Sequence, residues 1–137
     1  MMKSLLTFEE TMGATHGTHI SFAGNRSRFN FTSVATDSRN VVEGTLFVPL
    51  IGEFQDGHEY IPQALVKGAS VVFITNSVYE KNLRKYTDLA SEYQNTVFII
   101  VENNLLALQD IARAYVAKFP KLIRIGVTGS SGKTTTK

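Results

Sequence analysis

Short apolar runs of strand length alternate along this chain with stretches whose apolar residues recur at helical spacing. Phe29, Phe31, Ser33 and Ala35 alternate with polar or small neighbours, and residues 45–50 form a second β-rich run. Two strands are therefore predicted on either side of Thr36-Asp37-Ser38-Arg39, whose composition favours a turn. Residues 70–75, 96–101 and 122–127 are further apolar runs of the same kind. Between them, residues 60–67 carry Pro62 near the start and Gly68 just past the end, the asymmetry of a helix. Ser77 with Glu80 has the pattern of a capping box, and Tyr79, Leu83, Tyr86 and Ala90 predict one helix running toward Tyr93. Asn104 is the predicted cap of a helix with Leu105, Leu108, Ile111, Ala112, Tyr115 and Phe119 in one apolar stripe, stopped by Pro120. At the front, Thr7 with Glu10 predicts a short capped helix ending near Gly13. Strands alternating with helices predict an α/β fold.

Composition narrows the classes of function. A chain of 137 residues fits one ordinary domain, and 43% hydrophobic with 19% charged residues is the balance of a globular protein. A formal charge of +2, with no long basic block, argues against nucleic acid as a main partner. Cysteine is absent, which excludes disulfides, thiolate metal sites and a cysteine nucleophile. Thr7, Glu9 and Glu10 interrupt the first apolar run before a signal-peptide core can form, and no segment reaches the roughly 18 apolar residues of a membrane span. A cytoplasmic protein without a membrane span is expected.

The strongest chemical signal is Gly129-Ser130-Ser131-Gly132-Lys133-Thr134-Thr135, directly after the apolar run 122–127. A triphosphate needs a turn whose backbone N–H groups converge without side chains in the way, and Gly129 and Gly132 supply that access. Lys133 would reach the outer phosphates as the catalytic cation, and the Thr134 hydroxyl would ligate magnesium. The spacing is GxxGKT, because Val127 stands at the first glycine position of the general GxxxxGK[ST] pattern. A Gly/Ser turn that happens to precede Lys-Thr is the bland alternative; the strand-like run ahead of it favours ATP.

The segment from Val127 to Lys137 resembles the ATP loop of the Mur ligases, whose loop has this shortened glycine spacing. Upstream, Thr36-Asp37-Ser38-Arg39, Gly44, Leu46-Phe47-Val48, Gly52-Glu53, Asp56-Gly57-His58, Ile61, Ala64 and Gly68-Ala69 resemble the N-terminal domain of the E and F branches of that family. The resemblance implies a small N-terminal α/β domain over residues 1–101 that holds the UDP end of a UDP-N-acetylmuramoyl peptide. Residues 102–137 would then be the first helix, strand and phosphate loop of a truncated P-loop ATPase domain. It assigns the UDP site to Ser38, Arg39, Glu53, Phe54 and Gln55. For Asp37 and Arg39 a structural ion pair or turn cap is an equal alternative, and for Phe54 packing on its own domain. His58, His16 and His19 read as turn residues. The chain departs from the family pattern at Glu43 and Thr45, where proline and aspartate are usual beside Gly44, and at Pro49, where a small residue is common.

Ser130 and Lys137, with the Leu106-Ala107-Leu108-Gln109-Asp110-Ile111-Ala112 lead-in, favour the F branch, which joins D-alanyl-D-alanine to UDP-N-acetylmuramoyl tripeptide using ATP and Mg2+. The implied chemistry is attack of the substrate carboxylate on the γ-phosphate, giving an acyl phosphate that the dipeptide amine captures. A monomer is implied. Three alternatives stay open: the E branch, which adds the third stem amino acid; a UDP-sugar-peptide binding module without turnover; and another phosphate-loop enzyme, such as a small kinase or a folate-type polyglutamate ligase.

Overall fold

The computed structural model describes residues 4–19 and 29–118. Five strands form one sheet in the order β1-β5-β4-β3-β2: β1 (Thr18–His19), β2 (Ser33–Ala35), β3 (Thr45–Phe47), β4 (Val71–Thr75) and β5 (Val97–Val101). β2 to β5 run parallel, and β1 lies antiparallel against β5. The central register is long, running from Val71 opposite Val97 to Thr75 opposite Val101.

β4 and β5 are buried throughout, so their alternate residues feed two cores. Val71, Phe73, Val97 and Ile99 point to one face, where they meet Leu6, Phe8, Phe31, Ala107 and Ile111. Apart from Phe31, which precedes β2, those partners belong to or adjoin α1 (Phe8–Thr15) and α5 (Asn104–Ala117). Val72, Ile74, Phe98 and Ile100 point the other way, onto Ile61 and Leu65 of α2 (Ile61–Val66) and Tyr86 and Ala90 of α4 (Leu83–Glu92). Consecutive parallel neighbours joined by crossovers of one hand carry the helices between them on one side. α3 (Asn76–Lys81) follows β4 directly.

The α/β architecture and the runs of β4 and β5 agree with the pattern of apolar residues; several details differ. The Thr7–Glu10 capping box forms, but α1 continues through Gly13 to Thr15 and closes on His16 in the left-handed region, φ 56°. Phe29 and Phe31 are buried ahead of β2 rather than paired within it. β3 stops at Phe47, short of Pro49, whose missing N–H cannot serve a ladder. At the turn before β3, the buried Thr45 hydroxyl accepts from the Val42 N–H at 3.0 Å and bonds Ser33 Oγ at 2.9 Å, holding the bend with Gly44 at φ +88°. The predicted helix over 60–67 is a 3-10 turn (Gly57–Tyr60) followed by α2, with Pro62 in its first turn.

The Ser77–Glu80 capping box does not form. α3 starts at Asn76 straight off β4, without a side-chain cap, and the predicted single helix is broken at Asn82, which adopts φ −139° and donates from Nδ2 to the Val78 carbonyl. The cap of α5 is Asn103, whose side chain accepts from Leu106 N–H, while Asn104 is its first helical residue and is buried. The inward stripe is therefore Asn104, Ala107, Leu108, Ile111, Ala114 and Tyr115; Leu105 and Ala112 are exposed. Lys118 ties the end of α5 back by donating to the Leu5 carbonyl and to Glu10. Phe119, Pro120, the run 122–127 and the ATP-loop residues Gly129, Ser130, Ser131, Gly132, Lys133, Thr134 and Thr135 lie outside the described residues.

Two predictions concern this framework. Gly68 holds φ +103°, and a Cβ there would sit 2.9 Å from the Glu43 Cα. Gly68→Ala should lower stability by about 1–3 kcal/mol, read as a reduced urea midpoint. Burial of the Tyr86 phenol pushes its pKa up to about 12 from the ordinary 10.0. The unfolded chain loses this proton first as pH rises, so stability is full below about pH 10 and falls between about pH 10 and pH 12. The slope approaches about 1.4 kcal/mol per pH unit, and Tyr86→Phe should remove it in urea titrations across that window.

Candidate functional site

An open cleft of about 750 Å3 lies beyond the carboxyl ends of β2 and β3, the edge of a parallel sheet where ligands are generally held. Three pieces of chain build it. Leaving β2, residues 36–39 enter a 3-10 turn (Ser38–Asn40) capped by Asp37, which accepts from the Arg39 N–H at 2.9 Å. Phe47, the buried last residue of β3, and Leu50 beyond it form the apolar floor of the lining. A tight turn follows, with Gly52 N–H donating to the Gln55 carbonyl at 2.7 Å and Gly57 N–H to the Leu50 carbonyl at 2.9 Å. Gly57 packs so closely that a Cβ would fall 2.9 Å from Leu50 N and 3.1 Å from Pro49 Cα. The head of α2 then presents Tyr60 and Gln63 on one face.

Charge in the cleft is concentrated in one pair. Arg39 Nη2 meets Asp37 Oδ2 at 2.6 Å, and Arg39 Nε contacts both Asp37 oxygens at 3.1 Å. The side-chain hydrogen bonds from Arg39, aided by its backbone N–H, push the Asp37 carboxyl down to about 2. The Arg39 side chain remains 81% exposed, so its remaining N–H groups face solvent at the rim. Ser38 is buried, and its hydroxyl donates to Gln63 Oε1 across 3.4 Å, a long contact that a stronger acceptor can replace.

Of the UDP-site residues expected from the sequence, Ser38, Arg39 and Gln55 line this cleft together with Thr36, Asp37 and Gly52. Glu53 and Phe54, on the turn between Gly52 and Gln55, do not line it; Phe54 is 91% exposed and does not pack on the domain. The ion-pair and turn-cap reading of Asp37 and Arg39 is present in full. Tyr60 and Gln63 were not foreseen as site residues; their spacing at the head of a helix beside Asp56-Gly57-His58 is the signal that marks them.

His58 is buried and structural. Its Nδ1 lies 2.6 Å from Asp56 Oδ1, and its Nε2 accepts from the Thr75 N–H at 3.1 Å. These bonds require the tautomer with the proton on Nδ1. His16 ends α1. Among the described residues no group of three His, Cys, Asp or Glu is placed to hold a metal ion. The cleft lining offers two hydroxyls, two amides, a phenol and a guanidinium above an apolar floor, and its carboxylate is held ionised by Arg39. That set suits recognition of a polar, anionic ligand with a flat ring more than proton transfer.

Known proteins resemble this chain over much of its length. The family model described as "Mur ligase family, catalytic domain" matches residues 30–116. A UDP-N-acetylmuramoyl-tripeptide--D-alanyl-D-alanine ligase of Treponema pallidum (strain Nichols) is 42% identical over 133 residues, which cover 97% of this chain and 28% of that protein. A UDP-N-acetylmuramoyl-L-alanyl-D-glutamate--2,6-diaminopimelate ligase of Clostridium tetani is 35% identical over 104 residues, covering 75% of this chain and 20% of that one. Among solved structures, crystal structure II of MurF from Acinetobacter baumannii superposes with a TM-score of 0.59 at 21% identity, covering 79% of this chain and 20% of that one. That likeness carries the fold.

The Asp37–Arg39 pair makes a direct prediction. The carboxyl of Asp37 should titrate with a midpoint of about 2 by carbon NMR, and Arg39→Ala should return it toward the ordinary 3.8. Because the folded value is depressed, the pair is intact above about pH 4 and is lost as pH falls through about 2.

Proposed function

This chain belongs to the Mur ligase family, and from that premise we propose that it is the N-terminal part of an ATP-dependent ligase that joins D-alanyl-D-alanine to UDP-N-acetylmuramoyl tripeptide in peptidoglycan synthesis. The chain spans 28% of the length of its Treponema pallidum relative, so the activity of the whole protein is inferred rather than carried by this segment alone. The task proposed for the segment is to hold the UDP end of the substrate. The observation that carries this is the cleft at the carboxyl ends of β2 and β3, where Ser38, Arg39 and Gln63 converge over the floor of Phe47 and Leu50.

In this reading Ser38 and Arg39 donate to the diphosphate, because charged acceptors strengthen hydrogen bonds about twofold over neutral ones. Gln55 and the backbone of its turn meet the uracil edge, with Phe47 and Leu50 beneath the ring. Glu53 and Phe54 would approach only from the rim. The proposed division assigns residues 1–101 to UDP binding and residues 102–137 to the start of the ATP-binding part, whose first helix, α5, packs on the first part.

For ATP and magnesium, the donor set of Gly129, Ser130, Ser131, Gly132, Lys133, Thr134 and Thr135 fits by chemistry: backbone N–H groups, an ammonium for the outer phosphates and the Thr134 hydroxyl for the metal. When bound, ATP supplies the phosphoryl group that makes the tripeptide carboxylate reactive toward an amine. Cytoplasmic placement and a monomeric state belong to the same proposal; no helix among the described residues is long and apolar enough to cross a membrane.

The test uses the full-length gene product with UDP-muramoyl tripeptide, ATP and D-alanyl-D-alanine. Phosphate release that depends on the dipeptide is the expected result. Release that instead requires meso-diaminopimelate or lysine would assign the protein to the branch adding the third stem residue. For the 137-residue chain, calorimetry should detect UDP binding that weakens about tenfold in Ser38→Ala and in Arg39→Ala, the loss of about 1.4 kcal/mol each. Tight Mg-ATP binding without UDP binding would contradict the division of labour.

A further inference from the structure

We propose that Asn104, which does not line the cleft, is a positioning residue for it, fixing the lining residues Leu50 and Gly57 through Pro49; the proposal rests on the UDP reading above. Asn104 is buried, with 3% of its surface exposed, at the first position of α5. Its Nδ2 donates to the Pro49 carbonyl at 2.6 Å and to the Phe73 carbonyl at 3.3 Å, and lies 3.4 Å from His58 Nε2. Its backbone N–H donates to Thr75 Oγ1 at 3.3 Å. One side chain thus joins the end of β3, the end of β4, the start of α5 and the turn that carries His58. Its two N–H hydrogens serve the Pro49 and Phe73 carbonyls, of which Pro49 has the shorter contact, because the single lone pair of His58 Nε2 already accepts the Thr75 N–H.

The other half of the amide explains why the donors matter. Asn104 Oδ1 is buried without a hydrogen-bond partner among the described residues, which carries a penalty of about 1–3 kcal/mol. Turning the amide over would set Oδ1 against the Pro49 carbonyl, oxygen to oxygen, so the orientation is fixed. An apolar residue at this buried position would escape that penalty but leave the Pro49 and Phe73 carbonyls without this donor. The Pro49 carbonyl precedes Leu50, whose side chain floors the cleft and whose carbonyl accepts from Gly57 N–H at 2.9 Å. Gly57 in turn touches Pro49 and Leu50 too closely to tolerate a Cβ. In a wall packed this tightly, releasing Pro49 shifts Leu50 and Gly57 together.

The test compares the parent chain with Asn104→Leu, which keeps the approximate volume and removes the donors. Folding is checked by urea denaturation, UDP affinity by calorimetry, and the wall by the amide shifts of Leu50 and Gly57 and the ring nitrogens of His58. We expect a folded variant with UDP affinity weakened at least fivefold, moved Leu50 and Gly57 amides, and unmoved amides in α4. A purely structural role would lower the urea midpoint yet leave the affinity of the folded protein within twofold of the parent; that result overturns the proposal. Asn104→Ala carries the same readouts if the leucine variant does not fold, and failure of both to fold assigns Asn104 to stability alone, which also overturns it. If the parent chain does not bind UDP, the site reading fails, and the mechanical claim stands or falls on the amide shifts alone.

Discussion

The structure depends on how the carboxyl edge of its parallel sheet is closed. A sheet covered on both faces leaves strand-end peptide groups in low-dielectric surroundings, where each must find a partner. Here the His58 imidazole accepts the Thr75 N–H, and Asn104 serves the Pro49 and Phe73 carbonyls. These bonds release α3 directly from β4, anchor the start of α5, and hold the loop after β3 against Gly57. The cleft is the space left in front of that closure, between the Thr36–Arg39 segment and the head of α2. Its polar groups are displayed by backbone that has little freedom to move.

Much of this was legible in the sequence where one physical demand dominated. β4 and β5 need apolar residues on both faces, so their runs stand out without reference to partners, and the Thr7–Glu10 cap follows from local bonds alone. The phase of α5 was not legible. Asn104 looks like a cap by residue type, but Asn103 takes that task and Asn104 turns inward to meet groups 46 and 55 residues away. The same long-range demand takes the Thr75 hydroxyl away from α3, while a side-chain bond from Asn82 accompanies the break before α4. Of the cleft lining, Ser38, Arg39 and Gln55 were legible through the family resemblance, whereas Tyr60 and Gln63 join the lining only once α2 is set beside the turn at Asp37.

Departures from the family pattern also gain a physical account. Thr45 holds the turn beside Gly44 with its hydroxyl, through Val42 and Ser33, and Pro49 falls just past the end of β3, where its carbonyl is used and its missing N–H is not needed. The pairing of Asp37 with Arg39 keeps a cation at the rim without leaving it unpartnered when the cleft is empty. An incoming anion would therefore add to an existing charge pair, and binding should depend on Arg39 contacts made without breaking the hold of Asp37.

A crystal structure of this chain grown with uridine diphosphate tests the central claim most directly. The account predicts the nucleotide beyond the carboxyl ends of β2 and β3, with its diphosphate within hydrogen-bond distance of Ser38 and Arg39 and its base over Phe47 and Leu50. A nucleotide bound elsewhere on the chain, with the cleft between Asp37 and Gln63 left to solvent, would contradict it.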